Sequence, residues 1–218
     1  MKTILTFILL GLGLTCYAQK SDTTTMRSRT IRDGFTEKYT VLKSNKNIKK
    51  GFAEVLFNQQ QIASGQYNNN RRFNQWKFYF LNGEVEQIYN YTTKKVEYEF
   101  ENKSTTYFLE NLKDGDESIN PVKIGGSYAT AIVMSKMPNF MIDLRNKKGT
   151  YTISYIYSLD EFGNLTKLER KVVGENFSKS ENIDSTLLEP EELEFNPGYV
   201  NGKPIKSSIT INNTFTIN

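Results

Sequence analysis

The chain has 218 residues, with 28 Lys and Arg against 24 Asp and Glu, one cysteine and no histidine. A net charge of +4 is too mild for the basic stripe that marks a nucleic-acid binder, so no nucleic-acid partner is expected. The missing histidine and lone cysteine exclude Ser-His-Asp triads, Cys-His pairs and zinc sites of the usual ligand types, leaving carboxylate pairs, Ser-Lys chemistry or oxygen-ligated cations.

The amino terminus reads as a secretory signal. Lys2 supplies the positive start, and residues 4–14 are apolar apart from Thr6, Gly11 and Gly13. Cys16-Tyr17-Ala18 places small residues at the cleavage positions, with Gln19 as the expected mature start. An apolar stretch of 11 residues falls short of the roughly 20 that span a bilayer as a helix. A retained anchor and a lipoprotein signal acylated at Cys16 are the rival readings; Gly13-Leu14-Thr15 fits the second poorly, since a small residue belongs just ahead of the cysteine. The expectation is cleavage after residue 18, a periplasmic or cell-surface protein, and no transmembrane span thereafter. Cleavage removes Cys16, so stability must come without disulfides, through burial of side chains such as the 13 Tyr and 14 Phe.

Residues 34–91 contain a near-repeat. Gly51-Phe52-Ala53-Glu54-Val55-Leu56-Phe57 reaches a turn at 58–61 and returns through Ile62, Ala63 and Ser64 to Tyr67. The cycle restarts at Gln75-Trp76-Lys77-Phe78-Tyr79-Phe80, turns at Leu81-Asn82-Gly83-Glu84 and returns from Val85 to Tyr91. Phe57 and Phe80 are 23 residues apart, as are Ile62 and Val85, and residues 34–39 form a weaker earlier copy. Asn82-Gly83 between aromatic runs predicts a hairpin with a type I′ turn, which needs positive φ at both central positions. These residues resemble the variant form of the membrane occupation and recognition nexus (MORN) repeat. Trp76, Tyr79, Asn82 and Gly83 match one copy, while the copy from Gly51 has Phe57 as its aromatic and Gln59-Gln60 where the turn glycine belongs. The resemblance implies a curled antiparallel sheet and little chemistry. Trp76 and Tyr79 are binding candidates as an aromatic platform, set against cross-strand core packing.

Next, Val96, Tyr98 and Phe100 alternate with charged residues, and Tyr107-Phe108-Leu109 is a short apolar run. The Asp114-Gly115-Asp116 turn with Pro121 beyond it marks a boundary. This divides a β-rich region, 19–120, from an α+β module, 121–218. Asp114, Asp116 and Glu117 lack the third oxygen ligand and following glycine of a calcium loop, so no metal or cofactor is expected there.

Beyond Gly125-Gly126, residues 127–137 put Tyr128, Ala131, Ile132 and Ser135 on one helical face, with Ser127 as a cap and Pro138 as a stop, although Val133 and Met134 also suit a strand. Tyr151, Ile153, Tyr155 and Tyr157 alternate with Thr152, Ser154, Ile156 and Ser158, the period of a half-buried strand. Gly163 supplies the left-handed residue of a hairpin loop, and 165–173 returns as the partner. Residues 182–194 are expected to form a short helix. Ile205, Ile209, Ile211, Phe215 and Ile217 then occupy odd positions of a closing strand, with polar residues on the even ones. Such a sheet has one wet face and one covered face, most simply covered by helix.

The order of these elements resembles the carboxy-terminal domain of TonB-type energy transducers, in the form common among secreted Bacteroidetes proteins. The resemblance is carried by Gly125-Gly126 before a first helix, Gly149-Thr150-Tyr151-Thr152-Ile153, the acidic turn ending at Gly163, Pro197-Gly198, and Asn201-Gly202-Lys203-Pro204-Ile205. It implies a fold and protein binding through a strand edge at 209–215, with Ile209, Ile211 and Phe215 as candidate contacts. It does not extend to energy transduction, because a β-rich repeat stands where the family has a Pro-rich spacer behind an uncleaved anchor.

The expected fold class is α+β, mostly antiparallel β: an N-terminal meander sheet, then a small C-terminal sheet with one or two short helices. The expected function is non-catalytic binding of an envelope protein or surface polymer. A carboxylate-dependent glycan hydrolase using Glu189, Glu191 and Glu192, or Asp114 and Asp116, is the alternative, with a self-assembling envelope protein as a third. Neighbouring carboxylates in polar segments suit turns better than the roughly 5–10 Å separation of a catalytic pair across a cleft.

Overall fold

The computed structural model describes residues 23–32, 34–136, 144 and 147–217. The signal segment with Cys16, and the stop at Pro138, lie outside the described residues. The architecture is mostly antiparallel β with one α-helix among the described residues, as the alternating patterns predict.

Seven strands form an N-terminal meander: β1 (Thr24–Arg32), β2 (Phe35–Leu42), β3 (Lys49–Phe57), β4 (Gln60–Asn68), β5 (Arg71–Tyr79), β6 (Val85–Asn90) and β7 (Lys95–Glu99), each paired with the next. The near-repeat becomes two consecutive hairpins, β3–β4 and β5–β6. Their turns differ from the expected ones. Asn58 and Gln59 both take positive φ, so the two-residue turn without glycine is the left-handed one. At Asn82-Gly83 only Gly83 is left-handed; Phe80 and Glu84 close a longer loop through Phe80 N–H to Glu84 O, 2.9 Å. The Asn82 side chain explains the difference, since its Oδ1 accepts from Glu84 N–H at 3.0 Å and favours a local Asx turn.

The C-terminal elements are β8 (Thr105–Leu109), β9 (Ser118–Ile119), β10 (Val122–Lys123), α1 (Gly126–Lys136), β11 (Gly149–Leu159), β12 (Leu165–Gly174), β13 (Phe177–Asn182), β14 (Phe195–Asn196), β15 (Gly198–Val200), β16 (Lys203–Ile205) and β17 (Ser207–Ile217). The main sheet has the order β13-β12-β11-β17-β8, beside a three-stranded sheet β16-β15-β9 and the pair β10-β14. Thus β8 and β9, which precede Pro121, pair with strands from the end of the chain. Gly163 is left-handed, and Asp160 Oδ1 accepts from the N–H of Phe162 and Asn164 to close the β11–β12 loop. Asn201-Gly202, with both residues left-handed, is the Asn-Gly turn of the I′ kind between β15 and β16.

Residues 182–194 are not an α-helix, contrary to expectation. Asn182 still belongs to β13, and two single 3-10 turns follow at Ser185–Leu187 and Pro190–Glu192. Pro190 keeps Glu189 extended at φ −75°, ψ 151°, which prevents one helix from running through.

Two hydrophobic cores result. One fills the meander around Trp76, Ile62, Phe78, Tyr67 and Tyr89; the other packs Tyr155, Tyr157, Leu168 and Ile209 with Val133 and Leu144. Helix α1 lies between them. Tyr128, Ala131 and Ile132 pack against the meander core and Val133 and Met134 against the other, so the helix is apolar on most sides and wedged rather than laid on a surface. Its N-terminus has no acidic residue of its own. Glu86 of β6 takes that place, with its carboxylate accepting from Ser127 N–H at 2.9 and 3.0 Å and from the Ser127 hydroxyl. Gly126 takes φ 62°, a left-handed conformation that favours glycine, and a Cβ there would crowd the Glu86 carboxylate at 2.6 Å. No described helix is long and apolar enough to cross a membrane.

Candidate functional site

The two sheets meet along a cleft of about 810 Å³. Its walls come from β6–β7 and the chain just beyond, from β8, from α1 and from β17. The floor is apolar, formed by Val122, Ala131, Met134, Ile209 and Ile211. The rim carries the exposed rings of Phe100 and Tyr107 and the exposed Ile119.

Three carboxylates line this space, Glu86, Glu99 and Glu101. Among the described residues none of them forms an ion pair, and no three acidic groups converge as metal ligands do. Glu99 reaches solvent, yet partial desolvation raises its carboxyl above the usual range; the Gln87 amide opposes this and the Glu86 charge adds to it. The Tyr107 phenol is likewise raised by burial and by the charges of Glu99 and Glu101.

The closing strand contributes the fourth wall and an edge. On one side β17 pairs with β11 along its whole length, from Ser207↔Leu159 to Ile217↔Gly149. On the other side β8 covers only Ser207 to Ile211, and Asn212 N–H donates to Ser104 O at 3.0 Å where that coverage ends. Antiparallel alternation then turns the N–H and C=O of Thr214 and Thr216 toward the side that no described strand occupies. Asn213 also lines the cleft, so cleft and edge are continuous.

Of the candidate binding residues, Ile209 and Ile211 line the cleft, Ile209 on its buried floor. Phe215 stacks on Tyr151 with centroids 5.5 Å apart and packs against the C-terminal core. Trp76 is wholly buried in the meander core, and Tyr79 bonds to Ser64 Oγ at 3.0 Å; neither lines the cleft. Glu86, Glu99, Glu101 and Tyr107 carry no local signal of a site: packing of β6 and β7 against α1 places the carboxylates, and only the pairing of β8 with β17 adds Tyr107 to the same cleft.

Two of the candidate catalytic carboxylates, Glu192 and Asp116, serve local structure. Glu192 accepts from Glu189 N–H at 2.8 Å in a capping box, and Asp116 accepts from Lys113 N–H and from the Asn201 amide. Those two bonds hold the Asp116 carboxyl below its ordinary range.

Away from the cleft lining, polar groups tie the meander to the chain just before β14. Arg72 donates to Tyr91 Oη at 2.7 Å and faces Glu194 at 3.4 Å, while Tyr91 donates to the same Glu194 oxygen at 2.7 Å. Replacing Glu194 with Gln leaves the Arg72 guanidinium half-buried without its counter-charge. A loss of about 1–2 kcal/mol is expected in urea unfolding, because the carboxylate is still about a third exposed. Lys123, which does line the cleft, is buried; its ammonium donates to Glu192 O at 2.9 Å and lies near the Phe195 and Tyr157 rings. Burial pushes its pKa down to about 8, against the pull of Glu192 and Glu194.

No family model, curated protein or solved structure matches this chain.

Proposed function

We propose that this chain is a non-catalytic binding protein of the cell envelope, which takes an extended segment of a protein partner along the half of β17 that no described strand covers. The supporting observation is the edge itself: pairing on the β8 side stops at Asn212, while β17 continues to Ile217. A strand laid there satisfies the Thr214 and Thr216 backbone groups and extends the sheet by one member. The TonB-like order of elements agrees with this use of the closing strand, and the MORN-like hairpins supply a rigid frame on which the module sits. The apolar segment at residues 4–14 supports an envelope address.

Thr214→Pro tests the reading. Its N–H points away from β11, so proline removes the donor offered to a partner without breaking the β11 ladder. Capture from detergent-solubilised envelope with the full chain is expected to enrich a protein that the variant does not, at unchanged melting temperature. Equal enrichment by both chains would remove the edge from the mechanism.

A further inference from the structure

We propose that the cleft beside this edge is a receptor for a basic side chain, lysine or arginine, carried by the bound segment. The inference rests on the strand-addition reading for the position of the segment, and on the cleft for its chemistry.

The cleft has two zones. Its floor of Val122, Ala131, Met134, Ile209 and Ile211 suits a methylene stem, and the exposed carboxylates Glu99 and Glu101 suit the charged head beyond it, while Glu86 stays buried as the cap of α1 and adds only its charge. None of the three has a cation partner among the described residues, and Glu99 is held up in part by repulsion from Glu86. The cations that line the same space do not relieve this. Lys123 is drawn to Glu192 O and the Phe195 ring, and Lys103 is exposed and forms no ion pair with a described residue. An entering ammonium or guanidinium gains charge-assisted hydrogen bonds to Glu99 and Glu101 and lowers the repulsion between Glu86 and Glu99. An anionic occupant such as a phosphate-bearing polymer meets the opposite balance. A bare divalent ion is disfavoured because, among the described residues, no three acidic groups converge on one point.

Continuity gives the register. Asn213 lies both in the cleft lining and at the start of the edge that no described strand covers, so a strand along Thr214 and Thr216 passes the cleft mouth. Alternate side chains of that strand point to one face, and one of them is placed to enter.

The test uses two blocked, alternating threonine-valine peptides that differ only at the centre, lysine in one and norleucine in the other. A third probe, N-acetyl-lysine methylamide, needs the cleft but not the edge. The lysine peptide is expected to bind about tenfold more tightly than its norleucine twin at low salt, the ratio equivalent to one charge-assisted hydrogen bond. That preference should vanish in Glu99→Gln/Glu101→Gln, whereas Thr214→Pro should abolish binding of both peptides. The single amino acid should shift the cleft resonances of Ile209, Ile211 and Met134 in the native chain and not in the double variant. Peptides that bind alike overturn the basic-side-chain inference and leave the edge reading standing. If only the single amino acid binds, the cleft inference stands and the edge reading fails. If no probe binds, both are overturned.

Discussion

Trp76→Ala is expected to lower the unfolding free energy by about 3–5 kcal/mol, the largest effect of any single truncation in the meander. The indole is fully enclosed. Tyr67 and Tyr91 meet it edge-on at 5.3 and 6.3 Å, the Arg72 guanidinium lies 4.7 Å from its ring, and its Nε1–H donates to Gln66 O at 3.0 Å. Its fourth neighbour is backbone. A Cβ added at Gly65 would lie 2.4–2.5 Å from three indole atoms, so the ring rests on the peptide plane of β4, where no other residue fits. Gly65→Ala should therefore fail for the opposite reason: the enclosed ring has no room to move aside, and overpacking of this kind costs about 1–3 kcal/mol or more. Urea unfolding followed by circular dichroism measures the first variant. The sole tryptophan reports the second by fluorescence. A loss below about 1 kcal/mol for Trp76→Ala would show that the meander does not depend on this aromatic centre.

Lys123→Met is expected to raise stability near neutral pH and to remove most of an alkaline rise that the native chain shows. In the folded state the Lys123 pKa falls from 10.5 to about 8, mainly through desolvation. Below about 8 both states bind the proton and the full burial penalty is present. Between about 8 and 10.5 the unfolded chain holds the proton and the folded chain does not, so stability rises with pH. The shift corresponds to roughly 3 kcal/mol, partly offset in the variant by loss of the bond to Glu192 O, worth about 1 kcal/mol. The net gain near pH 7 is then about 2 kcal/mol. The tyrosines act with the opposite sign. Burial raises the phenols of Tyr67, Tyr91 and Tyr157 above their ordinary 10, so the stability they contribute is present below that pH and is lost as they ionise in the unfolded chain above it. The native chain should thus be most stable between about 9 and 10, and Lys123→Met should keep only the smaller rise from Lys49, whose pKa burial also lowers, and fall beyond that range. Urea unfolding at stepped pH resolves the two profiles. A native profile flat from 7 to 10 would mean that the ammonium is adequately solvated.

The strands with strict alternation were readable because their signal is local. Tyr151, Ile153, Tyr155 and Tyr157 are buried one after another, as the period of two requires, and the odd isoleucines of β17 face the same core. Gly163 was readable as a left-handed turn residue for the same reason. At Asn82-Gly83 the Asn82 side chain selects a looser loop than the dipeptide alone predicts, and at 182–194 Pro190 and the pairing of Asn182 outweigh the helical composition. Trp76 was legible as a core residue or a binding platform; only its enclosure by Tyr67, Tyr91 and the Gly65 backbone decided for the core.

By itself, the order of residues determined the strand periods, the positions of most hairpins and the absence of histidine-dependent chemistry, since each depends on neighbours within a few positions. Tertiary structure alone decided that β8 joins the closing strand, that Glu86 of the meander caps α1, and that a cleft lined by Glu99 and Glu101 opens beside the edge of β17 that no described strand covers. Those contacts join residues far apart in the chain, and their selection depends on which apolar faces can be buried together, a property that no local pattern encodes.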